Sequence, residues 1–264
     1  MCSRFLSVAA ATALALAASG ASARELRVCA DPDNLPYSKD DGSGFENRIA
    51  QVLARELGAE LRYEWLPQIR GYVRKTMGEG LCDVFIGVPK GLDRVATTRP
   101  YYRSTYVFVS RRGEGAPKDF ADTRLRDVRV GVQLVGNDLA ATPPGHALAQ
   151  AGAIRNVVGF TVMGDGPAAQ RMVQAVASGR LDVALVWGPQ AGYFVKHSGV
   201  PLEISPAAAP VEAAGMPFEF SMSMGVRRGD KALLAELDEV IERCRPQIDR
   251  ILSEYAVPRT DRKS

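Results

Sequence analysis

One short pattern occurs twice in this chain, and its two copies divide the sequence. The first is Leu26-Arg27-Val28-Cys29, followed later by Gly80-Leu81-Cys82-Asp83-Val84. The second is Val128-Arg129-Val130-Gly131, followed later by Gly179-Arg180-Leu181-Asp182-Val183. The spans from Val28 to Asp83 and from Val130 to Asp182 are nearly equal. Each copy reads as a buried strand, a helix-bearing insert, and a Gly-x-x-Asp-Val turn into another buried strand. Apolar strands alternating with helices are the pattern of a parallel sheet covered on both faces. Two copies imply an α/β protein of two lobes, each a mostly parallel sheet flanked by helices, with a cleft between them. Ligands of open α/β sheets sit outside the carboxyl ends of the strands. The duplication therefore points to a clamp that binds something.

The first 23 residues stand apart. They hold one basic residue, Arg4, and no acidic one. An apolar run over residues 8–18 is followed by Ala21-Ser22-Ala23. This is the form of a secretory signal cleaved after Ala23, which places the mature protein in the periplasm. The apolar run is too short to span a bilayer, and no later segment approaches the roughly 20 apolar residues a span needs. No membrane span is expected, though a retained N-terminal anchor is the alternative reading of the leader. Loss of Arg4 leaves basic and acidic residues almost in balance, since the full chain has 33 Lys+Arg against 30 Asp+Glu. Nothing in that balance favours nucleic acid.

Cys29, Cys82 and Cys244 remain after cleavage, and an exported compartment permits disulfides. Cys29 and Cys82 fall on strands expected to be neighbours, so they are the natural pair. Cys29 lies late on its strand and Cys82 at the start of its own. A register offset of a few residues at about 3.3 Å each exceeds the roughly 7 Å limit for a bridge. Two buried thiols are the other reading.

In the first half, strands are predicted at 25–30, 61–66, 82–88 and 105–110, with helices at 44–58 and 72–78. In the second, strands are predicted at 128–134, 156–161, 181–187 and 221–226. A helix over 138–151 is interrupted by Pro143-Pro144, and another over 168–177 is signalled by Asp165 and Pro167. Helices at 190–197 and 231–255 follow, the last kinked near Pro246. Residues 201–217 read as a proline- and alanine-rich return. The chain thus crosses a hinge twice, giving lobe one as 24–103 plus 218–264 and lobe two as 104–217. The final helix is expected to pack on lobe one.

The order of elements resembles the type II periplasmic solute-binding fold. Its signposts fall at Leu26-Arg-Val-Cys-Ala-Asp31, Gly44-Phe-Glu46, Arg99-Pro-Tyr-Tyr102 and Gly225-Val-Arg-Arg-Gly229. A more specific set is Cys29-Ala-Asp-Pro-Asp-Asn-Leu-Pro-Tyr37, Pro67-Gln-Ile-Arg-Gly71, Thr97 to Val109, and Val186-Trp-Gly-Pro-Gln-Ala-Gly192. These look like the MxaJ/XoxJ proteins, which are solute-binding-like periplasmic accessories of PQQ-dependent methanol dehydrogenases. The resemblance implies a quinoprotein methanol or alcohol dehydrogenase, with or without a lanthanide, as the partner, and offers its cytochrome c as a further candidate.

An amino-acid binder of the wider fold needs an Arg and helix-start donors for the ligand carboxylate, and an Asp for its ammonium. Arg94 resembles that Arg, but the preceding Pro89-Lys90-Gly91 lacks the hydroxyls of amino-acid binders. Trp187 stands where the ammonium-binding Asp falls, and Val135-Gly136-Asn137-Asp138 replaces a hydroxyl-rich helix start. Ordinary amino-acid binding is disfavoured. Trp187 either stacks on a flat ligand or partner side chain or fills the lobe interface. Arg70 and Arg94 either face the cleft or make surface ion pairs. The expected cleft lining is Asp31, Asn34, Tyr37, Arg70, Arg94, Asn137, Asp138 and Trp187.

No Ser-His-Asp or Cys-His order is evident, His146 and His197 are isolated, and no haem, zinc or calcium motif is present. No enzyme activity, cofactor or metal is expected. Three function classes follow: an accessory of a quinoprotein dehydrogenase, a binding protein of an ABC importer for a small polar metabolite, and a lyase or dehydratase on the same clamp. The missing catalytic constellation weighs against the third. Whether the cleft takes a small molecule or a peptide segment stays open.

Overall fold

The computed structural model describes residues 24–261 except 116, 136–139, 163 and 211–214. In chain order the strands are β1 (Glu25–Ala30), β2 (Asp33–Asn34), β3 (Ser38–Lys39), β4 (Glu60–Trp65), β5 (Val84–Pro89), β6 (Ala96–Thr97) and β7 (Tyr102–Arg111). They continue as β8 (Val130–Val135), β9 (Ala140–Ala141), β10 (Val157–Thr161), β11 (Val183–Trp187), β12 (Leu202–Pro206) and β13 (Glu219–Val226). The helices are α1 (Phe45–Glu56), α2 (Tyr72–Lys75), α3 (Pro143–Gln150), α4 (Ala168–Ala177), α5 (Gly188–Lys196), α6 (Lys231–Arg243) and α7 (Arg245–Glu254). Among the described residues no helix is long and apolar enough to cross a membrane.

Eight strands form one path, β10-β8-β11-β7-β13-β5-β1-β4, with β6, β9 and β12 paired onto it and β2 and β3 forming a separate two-stranded sheet. Its two ends mirror each other. β1 lies between β4 and β5 in parallel, and β8 lies between β10 and β11 in parallel. The antiparallel strands β7 and β13 join the halves through the pairs Glu219↔Thr105 to Met222↔Tyr102. Each then continues into its own half: β7 pairs β11 and β12, and β13 pairs β5 and β6. This is the type II periplasmic-binding-protein architecture.

The repeated sequence pattern has a repeated physical cause. Arg27 donates from its backbone and side chain to the Asp83 carboxylate and from Nη1 to the Gly80 carbonyl. Arg129 does the same with Asp182 and Gly179. Gly80 (φ 76°) and Gly179 (φ 73°) occupy the left-handed region that a side chain disfavours. The Arg on one strand thus locks the turn that delivers its neighbour. The Arg129 hydrogen bonds also hold the Asp182 carboxyl below the usual carboxylate range.

The first core is built from β1, β5, α1, α6 and α7, with Phe45, Ile49, Leu53, Leu237 and Ile248 fully covered. Helices α6 and α7 therefore pack on the half that contains β1. The second half has two clusters, one around α4 and α5 and one around Phe108, Phe120 and Leu148.

Several local expectations change. The helix expected over 231–255 is two helices that break at Cys244, because Pro246 opens α7 instead of bending a continuous helix. Pro143 and Pro144 start α3 after Thr142, where their missing N–H groups cost nothing, so they do not interrupt a helix. Pro167 itself precedes α4, and Asp165 does not cap it. The return after residue 201 begins as strand β12, with Pro206 ending it at an edge. Cys29 and Cys82 form a disulfide with Cα atoms 5.4 Å apart. The chain bends at Leu81 and Asp83, which brings Cys82 beside Cys29 where an extended strand would carry it past.

Candidate functional site

A cavity of about 250 Å³ opens at the carboxyl ends of β1 and β5, where an open sheet places its ligand. The loop holding β2 and β3 and the first turn of α1 form one wall. That turn needs its loop. Phe45 N donates to the Pro36 carbonyl at 2.8 Å, and Glu46 N to the Tyr37 carbonyl at 2.9 Å. Buried Asn47 accepts through Oδ1 from the backbone N–H groups of Lys39 and Gly44. A Cβ at Gly44 would overlap the Tyr37 carbonyl, so only glycine permits this approach.

Asp31, Asn34 and Tyr37 all line the cavity. The Asp31 carboxylate accepts from Asp33 N at 2.9 Å and from Gln68 N at 2.6 Å. Asn34 Nδ2 donates to Gln68 Oε1 at 3.1 Å. Burial pushes the Tyr37 hydroxyl well above its ordinary value. Arg70 and Arg94 do not line this cavity; both are exposed, on the loop before α2 and the turn after β5. Asn137 and Asp138 lie outside the described residues.

Trp187 ends β11 and is not part of the lining. It packs edge-on against Tyr106 at 5.4 Å and Phe220 at 5.5 Å, and its indole N–H meets the Tyr37 hydroxyl. The contact joins a strand end in one half to the cavity loop in the other. A second junction runs along α5. Gly188 and Gly192 sit against the Thr105 and Ala256 carbonyls, where a Cβ would overlap the backbone. Lys196 Nζ donates to the Glu254 carbonyl at 2.6 Å, and Tyr193 stacks on Tyr255 at 5.8 Å.

The residue that most shapes the cavity's electrostatics is Glu46, which in the sequence stands only as part of the Gly44-Phe-Glu46 signpost. It lines the cavity from α1, and its Oε1 fills the space a side chain at Gly87 would take. Its partial exposure opens onto the cavity, yet burial pushes its carboxyl up to about 8. No hydrogen bond or ion pair reaches that carboxylate among the described residues. Gly87 interrupts an otherwise apolar strand, and a glycine there often marks close approach by another group. That was the available signal.

Among the described residues no group of three or more His, Cys, Asp or Glu is arranged to hold a metal ion. The lining brings the carboxylates of Asp31 and Glu46 and the rings of Tyr37, Tyr72 and Phe85 to the strand ends.

Comparison with known proteins agrees with this architecture. The chain is 35% identical to protein MoxJ of Methylorubrum extorquens, over 94% of this chain and 86% of that one. It superposes on the crystal structure of the periplasmic binding protein XoxJ from Methylobacterium extorquens AM1 with a TM-score of 0.75. That match has 36% identity and covers 90% of this chain and 100% of that one. MxaJ from Methlophaga aminisulfidivorans MPT gives a TM-score of 0.76 at 27% identity, covering 89% and 99%. Residues 26–257 match the bacterial extracellular solute-binding proteins, family 3, and the chain belongs to that family.

Proposed function

We propose that this chain is a non-catalytic periplasmic accessory of a PQQ-dependent methanol or alcohol dehydrogenase, and that it aids the enzyme's maturation or activation through its cleft. The observation that carries the reading is the whole-length likeness to MoxJ and XoxJ, together with the sequence blocks shared with the MxaJ/XoxJ group. In this reading the leader is cleaved after Ala23. Residues 24–103 with 218–264, and residues 104–217, act as two lobes hinged where β7 meets β13. The strand exchange at that junction supports the hinge, since both crossings lie side by side. The cleft then closes on a partner segment or on a small molecule. A cytochrome c of the same system is a further candidate partner.

A pull-down tests this. The mature protein, fixed to beads through its C-terminus, is exposed to periplasmic extract of the source organism grown on methanol. The expected result is enrichment of a quinoprotein dehydrogenase, identified by mass spectrometry. Enrichment of ABC permease components instead, with no dehydrogenase, contradicts the reading and favours the importer class.

A further inference from the structure

We infer that the cavity at the ends of β1 and β5 is a cation site, in which Glu46 receives an ammonium or guanidinium group carried on a short apolar arm. Among the described residues the cavity lining contains two carboxylates, Asp31 and Glu46, and no Lys, Arg or His. The two acids differ in what they lack. Asp31 already accepts from two backbone N–H groups. Glu46 has no donor among the described residues, although β5 gives up a side chain at Gly87 to make room for it. A carboxylate drawn out of water without a partner is costly, and a cation placed beside it removes that cost.

The walls suit an apolar arm. Tyr37, Tyr72 and Phe85 line the cavity, and aromatic faces attract cations as well as cover hydrocarbon. The hydroxyls of Tyr101 and Tyr102, which feel the Glu46 charge, are buried and have no hydrogen-bond partner among the described residues. Five tyrosines feel the Glu46 charge. Tyr37, Tyr63, Tyr72, Tyr101 and Tyr102 are all raised, with burial the first cause and Glu46 a further one. At about 250 Å³ the cavity accepts a small amine or one basic side chain. A free amino acid brings a carboxylate that the same acidic lining repels, so simple amines are preferred over α-amino acids. The inference stands apart from the dehydrogenase reading.

With no cation bound, Glu46 is largely protonated near neutrality, because burial raises its carboxyl to about 8. Binding a cation ionises it, and the proton leaves to the buffer. Calorimetry on the mature protein near pH 6.5 with n-pentylamine and with the peptide acetyl-Gly-Lys-Gly-amide tests this in two buffers of different ionisation enthalpy. The expected result is binding of at least one probe with release of about one proton per complex. Glu46→Gln, isosteric with the protonated acid, is expected to weaken binding by about tenfold or more and to abolish the proton release. Pentylamine binding indicates a free amine as the source, and binding of the peptide alone indicates a basic side chain of a partner; alanine is expected not to bind.

Thermal melting gives a second readout. The folded protein binds the Glu46 proton more tightly than the unfolded chain, so wild-type stability falls as pH rises from 4.5 to about 8. That decline is expected to flatten in Glu46→Gln. Failure of both probes to bind at millimolar concentration, equal affinity in Glu46→Gln, or binding without proton release overturns the inference.

Discussion

Phe45→Ala is expected to lower the melting temperature by about 10 °C. Phe45 is fully buried and sits where four parts of the fold meet. Its ring lies 5.4 Å from Tyr37 on the cavity loop, 6.3 Å from Tyr102 on β7 and 5.8 Å from Tyr255 after α7, each edge-on. Removing a buried phenyl group costs about 3–5 kcal/mol, because the cavity it leaves closes only in part. In a chain of this size each kcal/mol shifts the midpoint by about 2–4 °C. Gln51→Ala, on the exposed side of the same helix, is the control and is expected to move the midpoint by less than about 2 °C. Differential scanning calorimetry of the three proteins at one pH checks both values. Equal midpoints for Phe45→Ala and the control would refute the role given to this ring cluster.

Reduction of the Cys29–Cys82 bridge is expected to have an effect of the same order. The bond spans 53 residues of chain that include α1, β4 and α2. Closing a loop of that length restricts the unfolded ensemble by about 4 kcal/mol in the chain-entropy account. The two sulfurs also sit in a small apolar cluster with Tyr72, Met77 and Phe85, beside the cavity. Melting with and without a reductant checks the expectation, with Cys29→Ala/Cys82→Ala as a second arm. A fall of about 10 °C in both is expected. An unchanged midpoint in the double variant would show that the bridge does not stabilise the native fold.

Much of this architecture is legible in the sequence because it is local or repeated. The Arg of Leu26-Arg-Val and of Val128-Arg-Val each meets an aspartate that stands three residues after a glycine, and the strand order mirrors that repeat. The apolar spacing of residues 45–53 marks α1 because the same residues form its buried face. What escapes the sequence is set by distant partners. Glu46 reads as an ordinary helix-start acid until Gly87, on a strand far along the chain, leaves it room and no cation arrives to pair with it. Trp187 is visible as unusual, but its neighbours Tyr37, Tyr106 and Phe220 come from three separate segments. The glycines of α5 look like poor helix formers, and the Ala256 carbonyl against Gly192 explains one of them only after the chain has folded. Arg70 and Arg94, for which the sequence leaves the cleft and surface ion pairs as alternatives, are exposed and lie outside the cavity lining, because the loop before α2 and the turn after β5 are not positioned by the strand pattern.

Deletion of the gene, followed by assay of the dehydrogenase, tests the proposed function most directly. Cells lacking the chain and cells complemented with it are grown under inducing conditions, and PQQ-dependent methanol oxidation is measured in periplasmic extracts normalised to dehydrogenase protein. The account predicts a large loss of specific activity in the deletion strain, restored by the intact chain. Full specific activity without the chain would contradict it.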